Sequence, residues 1–439
     1  MKIPKPATRN PWMWIPTLYL AQGIPFVAVM TVSVIMYKRL GISNTDIAFY
    51  TSWLYLPWVI KPLWSPVVDI LKTKRFWTVA MQLLVGAGLA SIALTLPLPK
   101  FFQYTIAIFW LMAFSSATHD IAADGFYILA LTQKQQSFFV GIRSTFYRIA
   151  MITGQGLIVM LAGFFESSAF AGSAGNISLA WSATFFILAV LFITFCVYHR
   201  FILPYPVSDT GAVSVAYRGF IDEFLKTFVS FFKKEKIGFI LAFLLLYRFA
   251  EAQLVKLAPP FLLDLPEVGG LGMTTSEIGF VYGTVGVIAL TLGGILGGIV
   301  AARKGLRFWL WWMVLSINIP NLVYVYLSHA LPESLWIVSA CVAIEQFGYG
   351  FGFTAYMLFM LYTAKGRHPT AHYAICTGFM AMGMMLPGMF SGWVQEMIGY
   401  QNFFTWVCIA TVPCFLVAKF IHIDPEFGKR SDAAANKSD

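Results

Sequence analysis

The chain has 439 residues, is 59% hydrophobic and only 11% charged, and has a mean hydropathy of +0.73. Soluble domains carry about 25% charged residues, so most of this surface faces something other than water. A net charge of +10 could suit a nucleic-acid partner, but the basic residues are scattered through short loops between apolar runs, which excludes a nucleic-acid face.

Apolar runs of about 18 residues or more recur along the whole chain, each long enough to cross a bilayer as a helix. Gly, Pro and charge clusters punctuate them. The predicted spans are 12–37, 45–70, 76–97, 103–131, 138–165, 179–203, 237–262, 276–302, 306–329, 333–363, 370–397 and 401–422. The opening "MKIPKPATRNPW" runs straight into the first span without a small-residue cleavage site, which predicts a retained helix and not a signal peptide. With both termini cytoplasmic, most Lys and Arg in loops fall on the cytoplasmic side, and only Lys38, Arg39 and Lys100 fall opposite. That asymmetry is the positive-inside pattern and accounts for the net charge.

Residues 204–236 interrupt the spans. Phe220, Ile221, Phe224, Leu225, Phe228, Phe231 and Phe232 recur there at helical spacing opposite Arg218, Asp222, Glu223, Lys226, Lys233 and Lys234, which predicts an amphipathic helix on the cytoplasmic interface. The expected organisation is therefore a six-helix half over 1–203, a cytoplasmic linker over 204–236, a second six-helix half over 237–423, and a disordered cytoplasmic tail over 424–439. The halves also match in letters. "TDIAFY" (45–50) and "SEIGFV" (276–281) open the second and eighth spans, and "KRFW" (74–77) and "LRFW" (306–309) follow them in register. Two matches in register with matching topology point to duplication. The fold class is an all-α membrane protein of twelve transmembrane helices in two six-helix halves, the architecture of the major facilitator superfamily.

Ionisable residues at mid-membrane depth are costly and must face the bundle interior. His119, Asp120 and Asp124 lie in the fourth span, Arg148 in the fifth, Arg248 and Glu251 in the seventh and Glu345 in the tenth. Lys61, Arg143 and Lys256 lie nearer the ends of the second, fifth and seventh spans. Asp120, Asp124 and Glu345 are proton-coupling candidates. The alternative for the two aspartates is an ion pair with Arg148 or Arg143. His119 can titrate near neutral pH or serve as a hydrogen-bonded packing residue. Arg148 can grip an anionic substrate or pair with the acids. Arg248 and Glu251, one turn apart, can line the substrate site or neutralise each other. Asp69, Lys72 and Arg75 after the second span, and Arg303 and Arg307 after the eighth, can latch a cytoplasmic gate or merely signal topology. Gly348, Gly350 and Gly352 follow no strand and precede no Lys-Ser/Thr, so they predict close helix approach and not a phosphate loop. No HExxH, GxSG or GxGD motif occurs, no metal site or cofactor is expected, and without a nucleotide loop ATP-driven transport is not expected either.

"GIP" (23–25), "KPLWSPVVD" (61–69), "HDIAAD" (119–124), "YR" (147–148) before Gly154, and residues 345–355 and 387–400 together resemble the AmpG-type muropeptide permeases of that superfamily. His119 stands where the family pattern has Gln. The resemblance implies proton-driven import of anhydro-muropeptides into the bacterial cytoplasm for peptidoglycan recycling; a monomer of the inner membrane without a cofactor is expected. It adds Tyr147 to Lys61, Arg148, Arg248 and Glu251 as substrate-binding candidates. Relatives in the wider group leave a siderophore or an acyl-CoA-like anion as the alternative cargo.

Overall fold

The computed structural model describes residues 9–167, 176–207, 209, 226–366 and 369–429. In an apolar medium every backbone N–H and C=O needs an internal partner, and continuous helices are the way these runs supply it. Among the described residues ten helices are long and apolar enough to cross a membrane: Pro11–Arg39, Lys74–Thr95, Phe101–Ala130, Gln133–Ser167, Ile177–Ile202, Ile237–Leu263, Thr275–Lys304, Leu306–Ala330, Leu335–Ala364 and Ala371–Phe420. The last is two helices joined at Gly399, whose φ of 75° is left-handed and comes free of Cβ strain only to glycine. Asn44–Trp53 and Leu56–Leu71, separated by a turn, form the remaining crossing. The described residues thus contain the twelve crossings, numbered below in chain order from first to twelfth.

Local chemistry explains the repeat seen in the sequence. Ser43 caps the second span by accepting the Asp46 N–H at 3.0 Å. At the corresponding place Thr274 accepts the Glu277 N–H at 3.3 Å while Glu277 accepts the Thr274 N–H at 2.8 Å. Just before the repeated letters both copies thus carry a helix-capping hydroxyl, which at Thr274 is joined by Glu277 in a reciprocal capping box.

The chain divides into two compact units. Unit 1 comprises residues 1–217 together with 273–284, and unit 2 comprises 218–272 and 285–439. Three widened turns interrupt helices of unit 1 or begin in it, at Ala28–Val32, Thr153–Ile158 and Gly279–Gly286. Such turns free backbone groups from the regular ladder and are frequent at functional sites.

In unit 2 the glycines of the tenth span are explained by packing. A Cβ on Gly350 would come within 2.0 Å of the Leu290 carbonyl oxygen of the eighth span. On the other side, Cβ atoms on Gly348 and Gly352 would come within 2.2 Å of the Ser316 oxygen and 2.5 Å of Ile317 on the ninth. Alternate glycines thus let one helix press backbone-close against neighbours on two faces.

Most of the amphipathic linker helix expected over 220–234 lies outside the described residues, and its last part, 226–232, is helical. There Phe231 is buried in the unit 2 core, Ser230 bonds His372 at 2.9 Å, and Lys234 donates to the Lys365 carbonyl at 3.0 Å. Of the expected tail, residues 424–429 are described. Phe427 accepts from the Leu306 N–H at 3.0 Å, and Lys365 sits 4.4 Å over its ring. Residues 430–439 lie outside the described residues.

Candidate functional site

The fourth span turns its ionisable residues in different directions. Asp120 faces the second span, where the Trp58 indole donates to its Oδ2 at 3.1 Å and Lys61 lies 3.5 Å from the same atom. These side chains are 15% and 28% exposed for Asp120 and Lys61, so the pair is largely withdrawn from water. Phe26 meets the Trp58 ring edge to face at 5.2 Å and steadies it. One turn along, Asp124 accepts from Tyr19 at 3.2 Å and lies 3.5 Å from Arg143. Arg143 also donates to the Tyr19 hydroxyl at 3.0 Å and covers the Tyr19 and Tyr127 rings at 5.0 and 4.9 Å. The aspartates therefore take different cations, Asp120 the lysine of the second span and Asp124 the arginine of the fifth. Tyr147 and Arg148 are half-buried on the fifth span, and Tyr147 lies within electrostatic range of both acids.

His119 points elsewhere, into a buried polar chain. Gln82 of the third span places its amide nitrogen 3.0 Å from His119 Nε2 and its oxygen 2.9 Å from His199 Nδ1. His199 Nε2 then meets the Thr17 hydroxyl at 2.9 Å. With the amide nitrogen donating to His119 Nε2 and its oxygen accepting from His199 Nδ1, Gln82 bridges the two rings as neutral tautomers, while His119 Nδ1 has no partner among the described residues. This supports the packing reading of His119.

At the far end of unit 1, Glu166 gathers donors from several helices. Arg39 reaches its Oε2 through Nη2 at 2.9 Å and Nε at 3.2 Å, Trp181 Nε1 reaches Oε1 at 2.9 Å, and the Thr275 hydroxyl reaches Oε2 at 2.7 Å. Its carboxylate is 9% exposed. Charge-assisted bonds of this kind are the strong ones.

Unit 2 is built differently. Arg248 stands at a break in the seventh span, between Ile237–Leu246 and Phe249–Leu263. Its guanidinium bonds the Tyr349 hydroxyl and lies 5.1 and 4.9 Å from the Tyr349 and Phe353 ring centres. Glu251, the expected partner one turn on, is 2% exposed, and neither of its carboxyl oxygens has a hydrogen-bond donor among the described residues. Glu345 is also 2% exposed. Gln346 donates to its Oε2 at 2.9 Å, while Oε1 has no donor among the described residues. Lys256 is buried on the seventh span.

In the expected gating loops, the Asp69 side chain lies outside the described residues and Lys72 sits 5.9 Å over Phe76. Arg75 stacks 3.8 Å over Tyr205, donates to Leu203 O at 3.3 Å and bonds the Arg200 carbonyl. Asp209 accepts the N–H groups of Lys74 at 2.7 Å and Arg75 at 3.0 Å. The loop after the second span is thus tied to the end of the sixth. Arg303 and Arg307 are exposed. Among the described residues no group of His, Cys, Asp and Glu is arranged to hold a metal ion.

The Major Facilitator Superfamily profile matches residues 17–390. The chain belongs to the Major Facilitator Superfamily. This facilitator is 25% identical over 419 residues to "Putative transporter AmpG 4" of Rickettsia conorii, covering 92% of this chain and 95% of that protein. It is 25% identical over 408 residues to "Anhydromuropeptide permease" of Escherichia coli K12, covering 90% and 76% respectively. Its fold is similar to that of a point mutant of the nucleoside transporter NupG, with TM-score 0.71, 17% identity and coverage of 94% and 100%. The D-xylose-proton symporter follows with TM-score 0.68, 13% identity and coverage of 96% and 99%. This facilitator is therefore a multi-pass, AmpG-like membrane permease for a small-molecule substrate, and not an enzyme.

Several site residues escape sequence reasoning. Trp58, Tyr19, Gln82 and His199 are ordinary letters within apolar runs, and nothing in their spacing says which helix they will face. Arg39 and Glu166 carried a usable signal, a base and an acid both placed at the ends of spans on one face of the membrane.

Proposed function

We propose that this facilitator imports anhydro-muropeptides into the bacterial cytoplasm, using the proton gradient, as a monomer of the inner membrane with both termini cytoplasmic. The observation that carries the reading is the similarity to an anhydromuropeptide permease along 90% of the chain. Unit 1 supplies suitable chemistry: an indole for a sugar ring, and Asp120 and Lys61 for its polar groups and for peptide carboxylates. Arg148 and Tyr147 of the fifth span add further donors there, and in unit 2 Arg248 and Glu251 are the proposed substrate-binding residues. The positive-inside distribution supports the orientation. Asp69, Lys72, Arg75, Arg303 and Arg307 act at the cytoplasmic loops, where Arg75 already ties two span ends together.

The test is uptake of labelled anhydro-muropeptide by proteoliposomes with and without an inward proton gradient. The reading expects gradient-dependent accumulation. Absence of muropeptide uptake, with uptake of a ferric siderophore or an acyl-CoA-like anion in its place, overturns the substrate. A topology reporter placing residue 225 outside the cell overturns the orientation.

A further inference from the structure

We propose that the coupling proton is carried in unit 2, shared between Glu251 of the seventh span and Glu345 of the tenth. This rests on the reading of the chain as a gradient-driven importer, and among the candidates Asp120, Asp124 and Glu345 it selects the last, together with Glu251.

The argument starts from what surrounds each acid. In unit 1 the Asp120 carboxylate has a lysine and an indole N–H on it, and Asp124 has an arginine and a phenol. Each of these carboxylates thus lies against a cation and a hydrogen-bond donor brought by other helices. In unit 2 both glutamates are 2% exposed, and they stand near enough for Glu251 to act electrically on Glu345. Three of their four oxygens have no hydrogen-bond donor among the described residues.

The neighbours do not remedy this. Arg248, one turn before Glu251, directs bonds to the Tyr349 hydroxyl and spreads over the Tyr349 and Phe353 rings, so its charge acts on Glu251 without a hydrogen bond to it. Tyr324 brings a hydroxyl to the Glu345 side, and Gln346 an amide. Lys256 is buried further along the seventh span. The eighth and ninth spans, packed on the tenth, carry Arg303, Lys304 and Arg307 at their shared loop end. On the eleventh span His372 is engaged by Ser230 near one end and Glu396 lies near the other.

Two buried like charges with so few donors are strongly unfavourable, and one proton between them removes a charge and creates a donor. A proton on either glutamate then leaves one buried negative charge where there were two. The step is a transfer of one proton: an O–H bond forms when the proton arrives from the outer side and breaks when it leaves to the cytoplasm. No electron moves. Because arrival and departure change the charge buried beside Arg248, the same event alters how freely that arginine can engage an anionic substrate, which links proton and cargo.

Two measurements on the purified full-length protein test this. The first is pH-difference infrared spectroscopy without substrate. It is expected to show a protonated-carboxyl carbonyl band that titrates in the wild type, is lost in Glu345→Gln and Glu251→Gln, and persists in Asp120→Asn. A band lost in Asp120→Asn and kept in both glutamine variants overturns the assignment, as does absence of any titrating band. The second is anhydro-muropeptide uptake in proteoliposomes with an entrapped pH dye. Glu345→Gln is expected to lose gradient-driven accumulation and substrate-induced proton movement, and Glu345→Asp is expected to recover part of both. Proton movement equal to wild type in Glu345→Gln overturns the proposal. If the wild type takes up no muropeptide, the substrate reading fails, while the infrared result still decides the acid pair.

Discussion

The two units handle buried charge in opposite ways. In unit 1 the acids Asp120, Asp124 and Glu166 each lie against a cation from another helix, at 3.5, 3.5 and 2.9 Å. In unit 2 Glu251 and Glu345 are more deeply buried, and Gln346 is the donor that reaches one of their oxygens at 2.9 Å. The duplicated topology has therefore not duplicated the electrostatics. An acid paired with a cation at close range holds helices together and presents a fixed pattern of charge, whereas the unit 2 acids are short of hydrogen-bond donors and are where the shared proton is proposed. On the proposals above, one half recognises the substrate and the other carries the proton.

The contrast can be broken most decisively by neutralising one acid in each unit and comparing thermal stability. Asp120→Asn leaves Lys61 without its counter-charge and is expected to cost about 3 kcal/mol, near the lower bound for breaking a buried pair, because both groups retain some exposure. Asp120→Asn with Lys61→Met is expected to recover most of that. Glu251→Gln is expected to change the melting temperature little, since neither carboxyl oxygen of Glu251 holds a hydrogen-bond donor among the described residues. Equal destabilisation by both single variants would erase the contrast.

A second test addresses the outer cluster. Glu166→Gln weakens bonds to Arg39, Trp181 and Thr275 and is expected to cost about 2 kcal/mol, the scale of hydrogen bonds to a charged group. Arg39→Gln should cost less, because the arginine is 30% exposed while the acid is 9%. Melting curves of the two variants rank them, and a larger loss in Arg39→Gln would contradict the geometry.

Smaller effects sharpen the picture within unit 1. Arg143 and Asp124 are 31% and 44% exposed, so Asp124→Asn is expected to cost under about 1 kcal/mol. Raising the salt concentration should narrow that difference further, as the screening of a part-exposed pair requires. The smallest change expected is His119→Gln, which can keep the bond to Gln82 and should leave uptake and its pH dependence near wild type. A displaced pH profile in that variant would give His119 a coupling role after all.

Much of the architecture was legible in the linear chain. Observed crossings such as 74–95, 177–202 and 306–330 lie within a few residues of those expected, because length and hydropathy alone decide what can span a bilayer. The second span was legible as a crossing but not as two helices broken near Leu54, a detail that composition does not carry. Of the candidate site, the identities of Asp120, Asp124, Lys61, Arg148, Arg248, Glu251 and Glu345 could be read as charges out of place in apolar segments. Their partners could not. Arg248 and Glu251 are one turn apart and invite pairing, yet a break in the helix at Arg248 sends the guanidinium to Tyr349.

By itself, then, the amino-acid sequence determined that this protein is a twelve-crossing membrane protein with an internal repeat and a handful of interior charges. Those properties depend on composition and period, which are local along the chain. Which charge meets which, and which acid is left without a donor, was decided only by the tertiary structure. Side-chain direction around a helix, set by breaks such as that before Arg248 and by close approaches such as that at Gly350, determines those partners across long stretches of sequence.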